Sequence, residues 1–258
     1  MSDMPTLLLV QADPVGVDGT RRWFAEKTLS GIQHFVDDWP GRVVVSAPSS
    51  RSRPTAMEVA ADVRSVPFDL MLDVTPSDAA HRVDPSVVLA LHSPSNYELI
   101  SWKRHRVVYT MENGLRQRFR VETLQSSSPL SRARISLGLA RRAPAFFRAL
   151  RLAAGLQCNG YAAWEQHWRL SPAPMLFFDH RVSGDVIAES KAVQVSGALA
   201  LGFSGRHIAI KGPEHALQLH AGLRESGIDA ALTMLGDGEL RSMLQIGAPR
   251  NVALQGSW

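Results

Sequence analysis

The sequence predicts an α/β protein with a doubly wound parallel sheet, followed by a smaller second α/β unit. Short apolar runs of strand length, rich in Val, Leu and Met, recur along the chain and alternate with loops or helical stretches. The 258 residues are 45% hydrophobic and 20% charged, a composition that can bury a sizeable core. Near the start, the only apolar run is far shorter than a signal-peptide core or the roughly 18 residues of a membrane span.

The first predicted domain covers residues 1–182. A strand over Thr6–Gln11 leads into a turn-rich loop, Asp13–Gly19, and then into a helix over Thr20–Val36. The other predicted strands of this domain are 42–47, 68–74, 87–91, 107–111, 154–157 and 174–178, and a helix is expected over 161–169. Their continuous apolar content indicates parallel strands that are buried on both faces.

A polar segment, residues 183–198, is the predicted linker to a second domain over residues 199–258. Strands are expected at 199–204, 230–235 and 251–254, and helices at 213–226 and 239–246. Three parallel strands leave one sheet edge and part of each face uncovered, so we expect this second domain to be incomplete.

The cysteine content and the spacing of reactive residues exclude several classes of protein. Cys158 is the only cysteine, which rules out an intramolecular disulfide and a zinc site made of several thiolates. No group of His, Asp, Glu and Cys residues has metal-ligand spacing, and no nucleophile elbow is present, so we predict neither a metal cofactor nor a serine hydrolase. A reducing, cytoplasmic location fits this composition.

The net charge of +4 hides one strongly basic stretch. Twelve of the 28 Lys and Arg residues lie between Lys103 and Arg151, with only Glu112 and Glu122 as acids, and Pro144 is expected to divide this stretch in two. Its mixture of Arg and apolar residues suits either a solvated helix face or contact with an anionic membrane surface, at the inner face of the membrane. Nucleic-acid binding is not expected, because the stretch has few aromatics and no recognised binding motif.

The second domain contains a recognisable series of motifs. Residues 203–212 read FSGRHIAIKG, and Gly236-Asp237-Gly238 and then Asn251-Val252 follow in that order. This series resembles the opening of the carboxy-terminal domain of retaining glycosyltransferases of family four, which have the glycosyltransferase B fold of two Rossmann-like domains. The resemblance implies that a nucleotide-diphosphate sugar binds this domain and that the first domain holds the acceptor.

Arg206 and Lys211 are the predicted ligands of the donor diphosphate. Breaking a sugar–phosphate bond leaves negative charge on the diphosphate, and two cations on one loop stabilise that charge without a metal ion. Gly205 and Gly212 would allow close approach of the backbone, and a helix beginning near Pro213 favours anions at its amino terminus. The alternative is an ordinary strand-to-helix loop with two surface cations.

Gly236-Asp237-Gly238 is a weaker signal by itself. Such a strand end is a common turn, so Asp237 either caps the following helix or contacts the ligand. We treat this tripeptide as a marker of the fold.

In the first domain the candidate residues follow predicted strands. His92 and Glu112 each come directly after one, at the edge where open parallel sheets bind ligands. The resemblance implies a sugar-contacting catalytic group in this region, whereas the structural alternatives are a hydrogen-bonded loop histidine and a carboxylate paired with Arg. Asn159 either contacts a ligand or caps a helix. Gly16 and Gly19 occupy the place of a glycine-rich cleft loop in the family, or form a plain turn.

The predicted function is a hexosyltransferase-like enzyme that transfers a sugar from a nucleotide-diphosphate donor to a carbohydrate or lipid-linked acceptor with retention. In the resembling family, two glutamates that contact the sugar and the ribose lie well beyond the Asn-Val strand. We therefore expect a truncated fragment with little activity of its own. The alternatives are a nucleotide-sugar epimerase of the same fold and a non-catalytic membrane-docking module.

Overall fold

The computed structural model describes residues 4–51, 58–124, 128–179, 197–249 and 251–256. It forms two compact units, one made of Met1–Phe119 and Arg132–His180 and the other of Arg120–Ser131 and Arg181–Trp258. Most of the predicted linker, up to residue 196, lies outside the described residues. The second unit also includes residues 120–131, which the sequence analysis placed in the first domain.

Eleven strands and six α-helices precede residue 180 among the described residues. In chain order the strands are β1 (Thr6–Val10), β2 (Val15–Asp18), β3 (Arg21–Ala25), β4 (Arg42–Ala47), β5 (Ser49–Ser50), β6 (Glu58–Asp62), β7 (Asp69–Leu72), β8 (Val87–Leu91), β9 (Val107–Met111), β10 (Gly155–Asn159) and β11 (Pro174–Phe177). The helices are α1 (Glu26–Asp38), α2 (Pro76–Val83), α3 (Leu99–Lys103), α4 (Leu115–Leu124), α5 (Pro129–Leu152) and α6 (Tyr161–His167).

The main sheet of the first unit has seven parallel strands in the order β11-β10-β9-β8-β1-β4-β7. Each corresponds to a strand predicted from the sequence, so the prediction of a doubly wound parallel sheet is confirmed. One face packs Leu8, Val88 and Tyr109 beneath residues of α2, α3, α5 and α6, and the other packs Leu7, Leu9 and Val45 beneath α1. Strand order reverses between β1 and β8, because the chain adds β4 and β7 on one side of β1 and β8 to β11 on the other.

A second, four-stranded sheet in the order β5-β2-β3-β6 was not predicted. Residues 20–25, expected to open a helix, instead form a turn and β3, and α1 begins only at Glu26. Phe24 explains the difference: in β3 it is 2% exposed and packs edge-on against Phe68, with ring centroids 6.0 Å apart. Pairing of β3 with β2 and β6 overrides the local helical pattern.

Pro144 does not divide the basic stretch as predicted. Helix α5 continues through it from Pro129 to Leu152. Proline removes one helical hydrogen bond, to the carbonyl four residues earlier, and that residue, Ala140, is exposed to solvent. Near its carboxyl end α5 buries Phe146, Ala149 and Leu150 in the core, and these contacts stabilise the helix across the proline.

The described part of the second unit contains a three-stranded parallel sheet and two helices. These are β12 (Leu199–Ser204), β13 (Ala230–Leu235), β14 (Val252–Gln255), α7 (Pro213–Glu225) and α8 (Arg241–Gly247), and the strand order is β12-β13-β14. Each was predicted, although α8 begins two residues later than expected. Leu232, Met234 and Leu244 form its small buried core.

Candidate functional site

The carboxyl ends of the parallel strands in the first unit surround two cavities. A cavity of about 340 Å³ lies across the ends of β1, β8, β9, β10 and β11. It is lined by Leu9, Val10, Gln11, Ala12, Asp13, Phe35, Leu89, Ala90, Leu91, Thr110, Glu112, Gln157, Asn159, Phe177 and Asp179. It therefore includes the point between β1 and β8 where strand order reverses, the usual ligand crevice of an open α/β sheet. We call it the switch-point cavity.

The other cavity, of about 400 Å³, lies on the opposite side of the end of β1. The two share Val10, Gln11 and Ala12 as a common wall, and the second is further lined by Asp73, Thr75 and Asn96. Asp73 accepts hydrogen bonds from the backbone N–H and hydroxyl of Ser49, at 2.8 and 2.7 Å. The Ser49 hydroxyl, followed by its N–H, lowers the pKa of Asp73, so this carboxylate stays ionised.

Two predicted site residues, Glu112 and Asn159, line the switch-point cavity. Glu112 follows β9 and is exposed, and no carboxylate–cation pair involves it among the described residues. Asn159 does not cap α6, because the cap residue is Gly160 and no side chain bonds to it. Instead the Asn159 side-chain oxygen accepts a hydrogen bond from the backbone N–H of Asp179, at 3.1 Å. That bond joins the end of β10 to the chain after β11.

His92 follows β8 as predicted but does not line either cavity. Its side chain is fully buried, and Nε2 donates a hydrogen bond to the carbonyl of Phe146 at 3.2 Å. The rings of Tyr97, Tyr109 and Phe146 pack around it, with centroids 4.5 to 5.2 Å away. Burial, followed by the charge of Arg118, lowers the pKa of His92 to about 3, so the imidazole is neutral. Its surroundings are those of a packed core residue.

Gly16 lies in the small four-stranded sheet and Gly19 in the turn between its strands β2 and β3, and neither lines a cavity. Gly16 lies in β2 opposite Trp23, where an added Cβ would come within 2.8 Å of the Trp23 Cβ. Gly19 forms the turn before β3 with φ of +55°. Close strand pairing and a tight turn account for both residues.

In the second unit, Arg206 and Lys211 are exposed on the segment between β12 and α7. Neither side chain has a hydrogen-bond or ion-pair partner in the described part of the chain, whereas Arg224 at the far end of α7 pairs with Asp229. Gly212 caps α7 with φ of +61° and Pro213 is the first helical residue. The two cations thus flank a loop that ends at a helix amino terminus, a favourable position for an anion.

The loops after β12 and β13 are joined through their backbones. The His207 N–H donates to the carbonyl of Asp237 at 2.7 Å, and the His207 carbonyl accepts from Leu240 N–H at 2.9 Å. Gly236 has φ of +135°, and an added Cβ would lie 2.0 Å from the Gly205 carbonyl oxygen. Glycine is therefore required at Gly236 by close packing of the two loops.

Asp237 neither caps α8 nor faces a cavity that the structure describes. Its Oδ1 accepts from the backbone N–H of Gly238 at 2.8 Å, and no side chain caps α8. The guanidinium of Arg241 donates to the Gly236 carbonyl at 2.7 Å. The tripeptide 236–238 is thus a structural connection, in agreement with its use as a marker of the fold.

No family model and no curated protein matches this chain. Among solved structures it is similar to the apo form of the lipopolysaccharide outer core galactosyltransferase WaaB, with a TM-score of 0.56 and 11% sequence identity over 98% of this chain and 68% of that one. The chain has the glycosyltransferase B fold.

Two other similar solved structures have TM-scores below 0.5. They are Anabaena HepE in complex with UDP and glucose, with a TM-score of 0.43 and 12% identity over 99% of this chain and 70% of that one, and the glycotransferase of kitacinnamycin, with a TM-score of 0.46 and 13% identity over 98% and 71%. At 11% identity, the likeness to WaaB establishes the glycosyltransferase B fold alone. Membership of family four and a retaining reaction stay predictions.

Within this glycosyltransferase B fold, sequence analysis missed several residues at the cavities. Asp13 and Asp179 line the switch-point cavity together with Glu112, and Asp73 lines its neighbour. Asp179 directly follows a predicted strand and Asp13 lies just beyond one, the signal that singled out His92 and Glu112. Asp73 instead falls inside the predicted strand 68–74, because β7 ends at Leu72. The order of the strands in the sheet decides which strand ends lie next to each other. That order could not be predicted from the sequence.

The described residues contain no group of three or more His, Cys, Asp or Glu side chains that could hold a metal ion. Within the same part of the chain, no helix combines the length and apolar content that crossing a membrane requires.

Proposed function

We propose that this chain belongs to a glycosyltransferase that transfers a sugar from a nucleotide-diphosphate donor, and that Arg206 and Lys211 bind the donor diphosphate. The observation that carries the proposal is a pair of exposed, unpaired cations on a loop whose backbone is held by hydrogen bonds to the following loop. Retention and a hexose as the transferred sugar rest on the family-four resemblance, and the absence of a metal rests on the two cations taking over its role.

The physical argument concerns the leaving group. Negative charge develops on the diphosphate as the bond between sugar and phosphate breaks. Cations stabilise this charge most when they are already in position and do not have to move during the reaction. The backbone hydrogen bonds of His207 to Asp237 and Leu240 hold the main chain next to Arg206 in place. The Arg206 side chain is therefore attached to a fixed segment of backbone. The adjacent amino terminus of α7 adds positive potential to the same loop.

Calorimetric titration of the chain with UDP, GDP and ADP tests this proposal. Arg206→Ala and Lys211→Ala are each expected to weaken binding about tenfold or more, because hydrogen bonds to charged groups contribute about 1.5–3 kcal/mol. Arg224→Ala is the matched control, since it removes the same charge from the other end of α7. Absence of nucleotide binding by the unmodified chain, or equal losses in all three variants, would contradict a diphosphate site on this loop.

A second function, binding to an anionic membrane surface, is favoured by the outward stripe of α5. Arg134, Leu137, Arg141, Arg148 and Arg151 are exposed at helical spacing over roughly 25 Å of helix. The helix has no acidic residue, and the described structure pairs none of these four arginines with a carboxylate. A cationic row with an exposed leucine suits the uniform negative charge of a lipid surface.

Sedimentation with anionic and neutral lipid vesicles tests the membrane proposal. Binding is expected only to anionic vesicles, and it should fall as salt is added. Arg141→Gln/Arg148→Gln should weaken it, whereas the control Arg64→Gln/Arg82→Gln, with the same change in net charge, should not. Equal binding to neutral vesicles, or equal losses in both variants, rules out an electrostatic surface on α5.

A further inference from the structure

The two cavities of the first unit are lined by acidic residues, although the chain as a whole carries a positive net charge. The protein has 28 Lys and Arg against 24 Asp and Glu, for a net charge of +4. Among the described residues, however, no Lys or Arg lines either cavity. Four carboxylates do: Asp13, Glu112 and Asp179 in the switch-point cavity, and Asp73 in its neighbour.

In the switch-point cavity, the ion pairs of the described residues neutralise only Asp179. Lys27 forms a 3.2 Å ion pair with Asp179 from outside the lining, and Arg51 acts electrostatically on Asp73. Asp13 accepts a hydrogen bond from the neutral Thr28 hydroxyl at 3.0 Å. Among the described residues, neither Asp13 nor Glu112 has a cationic partner, so these two carboxylates give the cavity a net negative charge.

The rest of the switch-point cavity suits a ring with polar edges and an apolar face. Gln11, Gln157 and Asn159 supply amide groups, and the Thr110 hydroxyl donates to the Gln157 side-chain oxygen at 3.1 Å. The amide N–H groups are left to donate to ligand oxygens. Apolar residues, including Leu89 and Phe177, provide the hydrophobic lining that ligand cavities commonly have.

From this combination we propose that the switch-point cavity binds a carbohydrate-type acceptor that carries a protonated amine, and that it discriminates against acceptors carrying a carboxylate or phosphate. The inference rests on the proposed function, because it names the acceptor class of that reaction. Amide and hydroxyl groups bind the sugar hydroxyls, and the negative charge of Asp13 and Glu112 attracts the ammonium group.

The expected preference is modest because the cavity is open to water. Partly exposed charge pairs give energies of up to about 1 kcal/mol, so an amine should gain about three- to fivefold in affinity over the neutral sugar. An anionic group should lose a comparable factor through repulsion. Both effects should shrink at high ionic strength.

Three probes of nearly equal shape test the proposal: methyl glucoside, methyl glucosaminide and methyl glucuronide. Their affinities for the full chain are measured by saturation-transfer NMR, at low salt and at a pH where the amine is protonated. The expected order is glucosaminide, glucoside, glucuronide. In Asp13→Asn/Glu112→Gln the three affinities should converge, whereas Asp38→Asn/Glu165→Gln, which removes two exposed acids that do not line either cavity, should keep the order.

Three results would overturn the proposal: glucuronide binding as tightly as glucosaminide, an unchanged order in Asp13→Asn/Glu112→Gln, or no saturable binding of any of the three glycosides. Titration with UDP, GDP and ADP reports separately on Arg206 and Lys211. Nucleotide binding that depends on Lys211, together with loss of amine preference, would contradict this inference while leaving the proposed function intact. No nucleotide binding, together with a retained amine preference, would contradict the proposed function and leave only the amine selectivity of the cavity.

Discussion

The backbone N–H of His207 donates a 2.7 Å hydrogen bond to the carbonyl oxygen of Asp237. This bond joins the loop that carries Arg206 and Lys211 to the Gly-Asp-Gly loop after the next strand. Gly236 makes the approach possible, because any side chain there would collide with the Gly205 carbonyl. The two sequence motifs therefore lie on loops that pack directly against each other.

Gly236→Ala should destabilise the second unit by about 2 kcal/mol or more, since it combines an unfavourable φ with overpacking. Nucleotide binding should weaken in parallel, because the loop of Arg206 must move. Gly222→Ala is the control: Gly222 lies inside α7 with open space at its Cβ position, and alanine should add about 0.5–1 kcal/mol of stability there. Urea unfolding measures both, and a Gly236→Ala protein as stable as wild type would contradict this account.

Two buried histidines of the second unit should respond in opposite ways to replacement by leucine. His207 is fully buried and neither ring nitrogen has a partner among the described residues, so His207→Leu should be neutral or stabilising by about 1 kcal/mol. The His220 Nε2 lies 3.0 Å from both the Ala230 carbonyl and the Asn251 amide nitrogen. His220→Leu should cost about 1–3 kcal/mol. Thermal unfolding compares the two variants. Equal losses of stability would mean that the His207 ring makes a hydrogen bond in the folded protein.

Stability should fall as the pH is lowered from about 6.5 towards 4, through His92 and His167. Burial, followed by the charge of Arg118, lowers their pKa values to about 3 and about 4. In this window the unfolded chain binds protons that the folded chain does not, so each histidine contributes a slope of about 1.4 kcal/mol per pH unit. His92→Leu should reduce the slope of unfolding free energy against pH by about that amount. An unchanged slope would show that His92 is protonated in the folded protein.

Arg118→Ala should be strongly destabilising although Arg118 is a charged residue. Its guanidinium donates to the carbonyls of His92 and Asn113 and lies 5.3 Å from the centre of the Phe146 ring. Losing these contacts should cost about 2–3 kcal/mol. Arg116→Ala removes an exposed arginine from the same helix, α4, and should change stability by less than about 0.5 kcal/mol. Chemical denaturation distinguishes them, and similar values would refute a structural role for Arg118.

Sequence patterns were sufficient to predict the strands of both parallel sheets. Runs such as Val43–Val45 and Val107–Tyr109 are apolar at every position, a pattern typical of a parallel strand that is buried on both faces. The start of α1 could not be predicted in the same way. Residues 20–25 fit a helical pattern, but Phe24 gains more from packing against Phe68 and from strand pairing with residues distant in the chain.

The candidate site was predicted in part for a similar reason. Glu112 and Asn159 were identified because they follow strands, and both line the switch-point cavity. His92 satisfies the same rule but turns into the core beneath α5, where the Phe146 carbonyl binds its imidazole. Which way a side chain points at a strand end depends on the helices packed above it, and local sequence does not encode that.

The sequence alone determined the alternation of strands and helices, the positions of Arg206 and Lys211 on a loop before a helix, and the glycines that this loop requires. These follow from local chemistry: hydrophobic period, turn residues and the charge of nearby side chains. Only the tertiary structure decided that Asp13, Glu112 and Asp179 share one cavity and that His92 lies outside it. Those outcomes depend on strand order and helix packing, which bring together residues far apart in the chain.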